Sequence, residues 1–482
     1  MELCDKSILE LRQLLDQKEI SSVELTKYYL DRISQTDKQV ESYITVCEEE
    51  ALKRAALADH RIAKGESASL TGIPISIKDN MCTEGIRTTC GSKMLENFVP
   101  PYNATAVNKL LAEDVVILGK VSMDEFAMGG STQTSYYKKT KNPYDFTRVP
   151  GGSSGGSAAS VAAKLAAASL GSDTGGSIRQ PAAFCGITGM KPTYGAVSRF
   201  GLVAFASSFD QIGPLAHSAR DCASVLNVIS GHDAFDGTSS PKNINFSSKL
   251  GHDIKGLKLA LPKEFFGEGI DSGVKAMVLK AVKEYEKMGA EIVEVSLPSL
   301  KYAIAAYYLI ASAEASSNLA RYDGIKFGYC TPEAKTYEER IMRTRNEGFG
   351  EEVKRRILLG TYALSSGYYD AYYKKALYIQ QKIKVEYKSI FEGCDAIITP
   401  TAPTTAYKIG EIEGDPVKMY LADICTVTVN IAGLPAVSTT CGYDEKGMPI
   451  GMSIVGKAFD DATVLQVADA FESNFKIQHP KL

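Results

Sequence analysis

The sequence contains no tryptophan and only five histidines among its 482 residues. No two histidines lie at metal-ligand spacing, and none of the ten cysteines forms a CxxC or CxxH pair, so metal chemistry is disfavoured. Scattered cysteines in a chain of this length are typical of reduced thiols in a cytoplasm rather than of a disulfide framework.

The chain also lacks a strong net charge and a long apolar run. Its formal net charge is -3, which offers no broad basic field for binding a nucleic-acid backbone directly. No window approaches the roughly 18 uninterrupted apolar residues of a membrane span. Glu2 and Asp5 stand where a signal peptide would carry basic residues. We therefore expect a cytoplasmic globular protein that reaches any nucleic acid through a partner.

Short apolar runs alternate with helical patterns along the chain. The runs 73–77 and 115–118 are too short for helices and rich in β-branched residues, which is typical of buried strands. A helical pattern covers 105–113 between them, and 257–295 has the pattern of a strand–helix–strand unit. This alternation predicts an α/β protein with a layered sheet.

The length favours two lobes or one large core with an insertion. Polar, turn-rich residues over 236–256 indicate an internal linker or surface excursion. The remaining organisation follows the composition: N-terminal helices over 1–65, a core over 70–235, a helical, tyrosine-rich insertion over about 300–390, and a return to the sheet over 395–482.

A segment dense in glycine and serine lies within that core. It includes Gly151-Gly-Ser-Ser-Gly-Gly-Ser157 and Gly171-Ser-Asp-Thr-Gly-Gly-Ser177. Glycine clusters of this kind occur where the backbone adopts positive φ or approaches a ligand closely. A flexible linker is one interpretation, although apolar strand and helix patterns follow at once. A phosphate-binding loop is another, although no Walker lysine follows and no G-x-G-x-x-G opens a helix.

A nucleophilic serine is the third interpretation of this segment. Ser177 directly precedes a predicted helix, where backbone amides and the helix dipole would stabilise a developing negative charge. No histidine lies close in sequence, so a Ser-His-Asp triad is poorly supported, whereas lysine variants of the triad exist. Lys78 ends the strand 73–77, and burial there would lower its pKa and leave a neutral amine. An ordinary solvated lysine is the alternative.

The glycine-rich motifs, continued through Gly189-Met-Lys-Pro192, resemble the amidase signature, and Gly72-Ile-Pro-Ile-Ser-Ile-Lys-Asp-Asn80 resembles the lysine-bearing strand of that family. The resemblance implies a single amidase-signature domain over 1–482. It implies a large, mixed, mostly parallel sheet covered by helices on both faces, with a helical cap.

The resemblance also assigns the catalytic residues. It implies that Lys78 is the base, that Ser153, after a cis peptide bond, relays the proton, and that Ser177 forms the acyl-enzyme. The oxyanion hole would consist of backbone groups of Thr174, Gly175 and Gly176.

Motifs outside the signature are similar to one branch of the family, the glutamine-hydrolysing subunits of tRNA-dependent amidotransferases. The similar segments are Met123–Ser131, Val197–Ser208, Asp210–Pro214 and Arg355–Ser365. This branch implies release of ammonia from L-glutamine for the amidation of Glu-tRNA(Gln), with Asp-tRNA(Asn) left open. It implies a heterotrimer with B and C subunits, with tRNA held mainly by B. No cofactor or metal is expected in this chain, and ATP and Mg are expected at the partner.

Free glutamine carries an ammonium and a carboxylate, so its pocket needs an acid and a cation at fixed separation. The resemblance implies Asp423 and Arg356 for these roles, with Arg355 not excluded. Ordinary surface ion pairs are the alternative. Tyr307 or Tyr308 is a further candidate for the pocket lining, although a tyrosine pair in a helix is more often packing.

Two other functions remain open at this stage. A stand-alone amidase acting on other small amides would use the same triad without a partner. A non-enzymatic scaffold with an idle signature is disfavoured by the intact set of Lys78, Ser153 and Ser177.

Overall fold

The computed structural model describes residues 2–412 and 414–480. In that part of the chain, eleven strands form one sheet. The strands are β1 (Tyr43–Val46), β2 (Pro74–Lys78), β3 (Val116–Val121), β4 (Ala168–Asp173), β5 (Thr188–Lys191), β6 (Gln211–Ala216), β7 (Lys258–Pro262), β8 (Glu291–Val295), β9 (Ala396–Pro400), β10 (Ala436–Tyr443) and β11 (Pro449–Gly456).

Fifteen α-helices accompany the sheet over the same described residues. They are α1 (Ile8–Asp16), α2 (Ser22–Val40), α3 (Glu48–Ala63), α4 (Thr105–Ala112), α5 (Gly155–Ala162), α6 (Arg179–Cys185), α7 (Ala219–Ile229), α8 (Ser272–Lys287), α9 (Leu300–Asn318), α10 (Tyr337–Gly348), α11 (Glu351–Leu364), α12 (Lys374–Ile390), α13 (Pro416–Leu421), α14 (Val427–Ala432) and α15 (Asp461–Glu472). No helix in this part of the chain is long and apolar enough to cross a membrane.

The sheet is mixed, as expected, with the order β1-β3-β2-β4-β6-β5-β10-β11-β9-β7-β8. Strand β2 runs parallel to β3 and β4, and β7 runs parallel to β8 and β9. The other six pairings are antiparallel, so the expectation of a mostly parallel sheet is wrong. The reason is partly local, because the short turn after β10 returns the chain directly into β11 and so makes an antiparallel pair.

Helices cover both faces of the sheet, as the strand residues show. In β9, Ala396 and Ile398 belong to one apolar core, with α1, α2, α7, α8 and α15, while Ile397 belongs to a second core, with α9, α11, α12 and α14. Neighbouring residues of a strand point to opposite faces, so this division means that both faces are buried. The near-continuous apolar character of the short runs in the sequence follows from that burial.

Several local predictions match the structure closely. The strand–helix–strand unit predicted over 257–295 forms β7, α8 and a parallel β8. In the predicted N-terminal helices, Ser21 and Glu24 form a capping box at the start of α2: the Glu24 amide donates to Ser21 Oγ at 3.1 Å, and the Ser21 amide donates to Glu24 at 2.8 Å. The insertion over 300–390 contains α9 to α12. All ten cysteines are free thiols.

The topology brings the candidate catalytic residues to one edge of the sheet. Because β2 and β4 are parallel neighbours, their carboxyl ends lie side by side. Lys78 is the last residue of β2, and Ser177 follows β4 by four residues. Ser153 lies just before α5, which packs on β2 and β4. These three segments meet where open α/β sheets place their ligands.

Candidate active site

Lys78 is completely buried and surrounded by serine hydroxyls. Its Nζ lies 2.8 Å from Ser153 Oγ, 2.9 Å from Ser154 Oγ and 2.9 Å from Ser172 Oγ. Burial lowers the pKa of Lys78 from 10.5 to about 7, against nearby carboxylates that raise it. The solvated-lysine alternative is therefore excluded, and near neutral pH this amine can exist in the uncharged form that a base requires.

The hydrogen bonds distinguish the two serines next to Lys78. The Ser154 hydroxyl donates to the carbonyl oxygen of Ser172 at 3.1 Å, so its proton already takes part in a hydrogen bond. Ser153 Oγ has no hydrogen-bond partner other than Lys78 among the described residues. The Ser153 proton is therefore the one that a neutral Lys78 can accept. The peptide bond between Gly152 and Ser153 is cis, as the resemblance implies.

Ser177 lies on the adjacent loop and retains slight exposure, whereas Ser153 is fully buried. The two segments are in contact, since the Ser154 amide donates to the carbonyl oxygen of Ser177 at 3.1 Å. Within the described residues, no hydrogen bond joins the two hydroxyls of Ser153 and Ser177. Catalytic hydrogen bonds often shorten only when substrate binds, so this geometry is compatible with a relay that closes on the substrate.

The loop that precedes Ser177 is held by a buried ion pair. Arg179 Nε donates to Asp173 Oδ2 at 3.0 Å, and both side chains are fully buried. Burial alone would raise the pKa of Asp173, but the Arg179 guanidinium holds it well below its usual range. Asp173 thus remains a carboxylate, which accepts hydrogen bonds from the Asn430 side chain at 2.8 Å and from the Gly176 amide at 2.8 Å.

This last contact changes the expected oxyanion hole. The Gly176 amide, expected among its donors, already donates to Asp173, because the turn at Gly176 (φ +128°) directs that N–H back toward the end of β4. Among the described residues, the amides of Thr174, Gly175 and Ser177 donate no hydrogen bond. These three amides are therefore the ones available to stabilise a tetrahedral oxyanion.

An acid and a cation both contact one tyrosine near this loop, the acid at its hydroxyl and the cation over its ring. The Tyr308 hydroxyl donates to Asp423 Oδ2 at 2.6 Å. The Arg356 guanidinium lies 4.5 Å from the centroid of the same ring and 5.0 Å from that of Tyr420. Glu352 fixes the orientation of Arg356 by accepting from its Nε at 2.6 Å. The terminal amino groups of Arg356 donate to no acceptor among the described residues.

Asp423 is connected to the nucleophile loop through its own helix turn. Thr426, three residues further on, donates its hydroxyl to the carbonyl oxygen of Gly175 at 2.6 Å. Asp423 itself remains partly exposed. Burial raises its pKa to about 7, against the hydrogen bond from Tyr308 and the positive charge of Arg356, which lower it. A bound ammonium group would stabilise the carboxylate form of Asp423.

The two neighbouring arginines have different environments. Arg356 is buried among aromatic rings, whereas the Arg355 side chain is 45% exposed and forms its ion pair with Glu352 from the outer side. The structure therefore brings Arg356, and not Arg355, to the tyrosine that contacts Asp423. This placement favours Arg356 over Arg355 as the candidate partner for a substrate carboxylate.

For glutamine, the substrate that the sequence motifs imply, we expect Arg356→Ala to raise the KM by about 100-fold, because a charge-assisted pair with the substrate carboxylate would be lost. Arg355→Ala is the matched control, since it removes the same side chain one position earlier and should change KM by no more than about threefold. Steady-state ammonia release measures both variants. Equal increases in KM would contradict the assignment.

Sequence reasoning missed the groups that support these residues. Tyr308 was considered only as a pocket-lining residue, yet its hydroxyl fixes Asp423, and the neighbouring Tyr307 packs so closely on Gly175 that a Cβ there would lie 2.4 Å from its hydroxyl. Gln180 joins two loops, because it accepts from the Gly152 amide and donates to the carbonyl oxygen of Gly130. The sequence pointed to these groups only indirectly, through the Tyr307-Tyr308 pair and through the motif that contains Gly130.

A buried lysine, two serines and a loop of open amides define an amide-hydrolase site, and the comparisons agree. The family model described as Amidase matches residues 24–465, and the chain belongs to this family. The linker and phosphate-loop interpretations of the glycine-rich segment are therefore wrong, because its residues are buried and form the active-site walls.

Relatives narrow the comparison to one branch of the family. The A subunit of the glutamyl-tRNA(Gln) amidotransferase from Caldanaerobacter subterraneus subsp. tengcongensis is 60% identical over 480 residues, covering 99% of this chain and 98% of that protein. The A subunit of the same amidotransferase from Staphylococcus epidermidis is 55% identical over 98% of both chains.

Solved structures agree with this narrowing. The crystal structure of the glutamyl-tRNA(Gln) amidotransferase A subunit from Thermotoga maritima matches with a TM-score of 0.85 at 42% identity, over 100% of this chain and 98% of that one. A peptide amidase from Stenotrophomonas maltophilia matches with a TM-score of 0.83 at 26% identity, over 99% of this chain and 98% of that one.

Proposed function

We propose that this chain is the glutaminase subunit of a tRNA-dependent amidotransferase. It hydrolyses L-glutamine to glutamate and ammonia, which a partner subunit uses to amidate Glu-tRNA(Gln). The observation that carries the proposal is that Asp423 and Arg356 both contact Tyr308, and that the Asp423 turn is joined to the Ser177 loop through Thr426. That pair matches the ammonium and carboxylate that distinguish free glutamine from a simple amide.

The reaction follows from the order of the side chains. Neutral Lys78 accepts the proton of Ser153, and Ser153 accepts the proton of Ser177. Ser177 Oγ then attacks the carboxamide carbon of glutamine, and the open amides of its loop stabilise the oxyanion. The relayed proton passes to the leaving nitrogen, the C–N bond of the tetrahedral intermediate breaks, and ammonia leaves a glutamyl ester on Ser177.

Water completes the reaction along the same route. The relay, again with Lys78 neutral, removes a proton from water, which attacks the ester carbon. The ester bond to Ser177 breaks, the proton returns to its oxygen, and glutamate leaves. Both half-reactions require the uncharged amine, so the rate should fall as the pH decreases through about 7.

The partners belong to the proposal as well. We place B and C subunits with this chain in a heterotrimer, with tRNA, ATP and Mg²⁺ at the B subunit. The names of the relatives support a multi-subunit amidotransferase. The net charge of -3 supports placing the tRNA at the B subunit, because a chain without a broad basic field is poorly suited to bind tRNA itself.

The test is ammonia release from L-glutamine and from a panel of simple amides, measured for this chain alone and co-produced with B and C subunits. A glutamine preference that rises with the partners and Glu-tRNA(Gln) supports the proposal. Rapid turnover of simple amides that does not depend on the partners or on Glu-tRNA(Gln) would leave the triad assignment intact and indicate a stand-alone amidase.

Asp423→Ala sharpens this test. We expect kcat/KM for glutamine to fall by about 100-fold or more, because the substrate ammonium no longer has a carboxylate partner. For an amide without an α-ammonium, kcat/KM should fall by no more than about threefold. The matched control is Asp415→Ala, which removes a partly exposed carboxylate at the start of the neighbouring helix α13. An equal loss on both substrates would mean that Asp423 does not bind the ammonium.

A further inference from the structure

The carboxylate of Asp124 is fully buried and organises a loop that the reaction above does not use. Its Oδ2 accepts hydrogen bonds from the amides of Ser131 at 3.1 Å and Thr132 at 2.8 Å. Its Oδ1 accepts from the amide of Thr134 at 3.3 Å and from the Thr134 hydroxyl at 2.9 Å. One side chain thus fixes the loop from residue 124 to residue 134.

This loop holds the segment that carries Ser153. The Asp124 amide donates to the carbonyl oxygen of Ser153 at 3.2 Å. The Thr132 hydroxyl donates to the carbonyl oxygen of Gly151 at 2.8 Å and accepts from the Gly155 amide at 3.0 Å. The residues two before and two after Ser153 are therefore connected to each other through Thr132.

The contact between the two segments is also tight. A Cβ at Gly152 would lie 2.1 Å from Asp124 Oδ2 and 2.6 Å from the Ser131 amide nitrogen. Only glycine fits between the carboxylate and Ser153, so the position of Asp124 limits how the relay serine can move.

The same carboxylate is one of the charged groups that face Lys78. The other carboxylates that raise the pKa of Lys78 are Asp173 and Asp210, and the nearby Cys90 is an uncharged thiol because burial raises its pKa. Asp173 is paired with Arg179, and burial raises the pKa of Asp210 to about 6 while Thr174 donates to it at 2.6 Å. Asp124 has no cationic partner within salt-bridge distance among the described residues. Burial raises its own pKa, against the hydrogen bonds from the Thr132 and Thr134 amides, which lower it.

We propose that Asp124 is a positioning residue of the proton relay: it holds Ser153 at Lys78 through the 124–134 loop. The inference rests on the proposed function, since it concerns the same relay. It assigns a mechanistic role to a residue whose side chain, among the described residues, forms no hydrogen bond with Lys78 or with the hydroxyls of Ser153 and Ser177.

The test is Asp124→Asn, which keeps the size of the side chain but turns one acceptor oxygen into a donor amide. We expect kcat for glutamine to fall by about 10-fold or more, with KM changed by no more than about threefold, because the pocket at Asp423 is untouched. We also expect the acidic limb of the pH profile to move to lower pH by about 0.5 to 1 unit, since a lost negative charge makes protonated Lys78 less stable.

Asp221→Asn is the matched control. Asp221 is also buried and accepts a backbone amide, that of Ile8 at the start of α1, at 2.9 Å, and it does not contact Lys78. We expect its pH profile and kcat to match those of the wild type even where its melting temperature falls. An Asp124→Asn enzyme with kcat within about twofold of the wild type, or with an unmoved acidic limb, overturns the inference.

A second variant decides the case in which Asp124→Asn does not fold. Thr132→Val removes the hydroxyl that joins Gly151 to Gly155, and we expect a loss in kcat of about 10-fold that Thr132→Ser restores. A Thr132→Val enzyme with wild-type kcat overturns the inference. A wild-type protein that releases no ammonia from glutamine but hydrolyses simple amides contradicts the proposed function alone, and the same variants then test Asp124 on those amides.

Discussion

Ser177→Ala is expected to reduce ammonia release by about 10⁴-fold or more, because the variant has no oxygen that can form the acyl-enzyme. The side chain is small and slightly exposed, and within the described residues its hydroxyl has no hydrogen-bond partner. Its loss therefore should not disturb the fold. The measurement is ammonia release from glutamine, made on protein whose circular dichroism and melting temperature match those of the wild type.

A serine from the same segment provides the control. Ser157 is fully buried on α5 and donates to the carbonyl oxygen of Leu170 at 3.1 Å, away from Lys78. Ser157→Ala should retain activity within about threefold, although it loses one buried hydrogen bond. Substantial activity in Ser177→Ala would refute the assignment of the nucleophile. Loss of activity in both variants would indicate that any change in this segment is harmful.

The sequence predicts the local elements of the fold well, and the reason is burial. The run 73–77 and the residues of β8 and β9 lie in a sheet with helices on both faces, so a short apolar segment is enough to identify them. The relative direction of the strands was harder to predict. β4 pairs with β6, and β5 pairs with β10, across long stretches of chain, and no local pattern encodes these partners.

In the candidate site, too, the sequence predicts the residues within local motifs but not the long-range contacts between them. Lys78, Ser153 and Ser177 stand in motifs dense enough to identify, because glycines are required where backbones approach each other closely. The groups that hold these residues are spread along the chain: Gln180 joins Gly152 to Gly130, and Asp124 reaches the cis-serine segment from a different loop. Such contacts depend on tertiary packing, and a single sequence contains no spacing that reports them.

The use of Gly176 shows the limit of reasoning from a motif alone. The sequence predicts that amides near Ser177 face the substrate. It does not predict which of these amides forms a hydrogen bond within the loop instead. Asp173 takes the Gly176 amide because Arg179 and Asn430 hold that carboxylate in place. Thr174, Gly175 and Ser177 remain open, so the loop is rigid and still has donors for the oxyanion.

Lys78→Met is expected to reduce glutamine hydrolysis by about 10³-fold, because a side chain of similar length without an amine cannot accept the Ser153 proton. The chain offers an unusually close control in Lys191. That lysine is also buried, its pKa is also lowered to about 7 by burial, and its Nζ donates to the carbonyl oxygen of Pro192 at 2.9 Å. The two lysines share burial and acidity and differ in their neighbours.

Lys191→Met should therefore retain activity within about threefold while Lys78→Met loses it, since only Lys78 contacts a serine of the relay. A buried amine whose pKa falls from 10.5 to about 7 on folding destabilises the fold increasingly as the pH drops from the first value to the second, so its removal should not by itself unfold either variant. The pH profile adds an independent criterion. Wild-type activity should fall as the pH decreases through about 7, and the residual activity of Lys78→Met should lack that limb. Equal losses in both variants, or an unchanged acidic limb in Lys78→Met, would mean that a different group is the base.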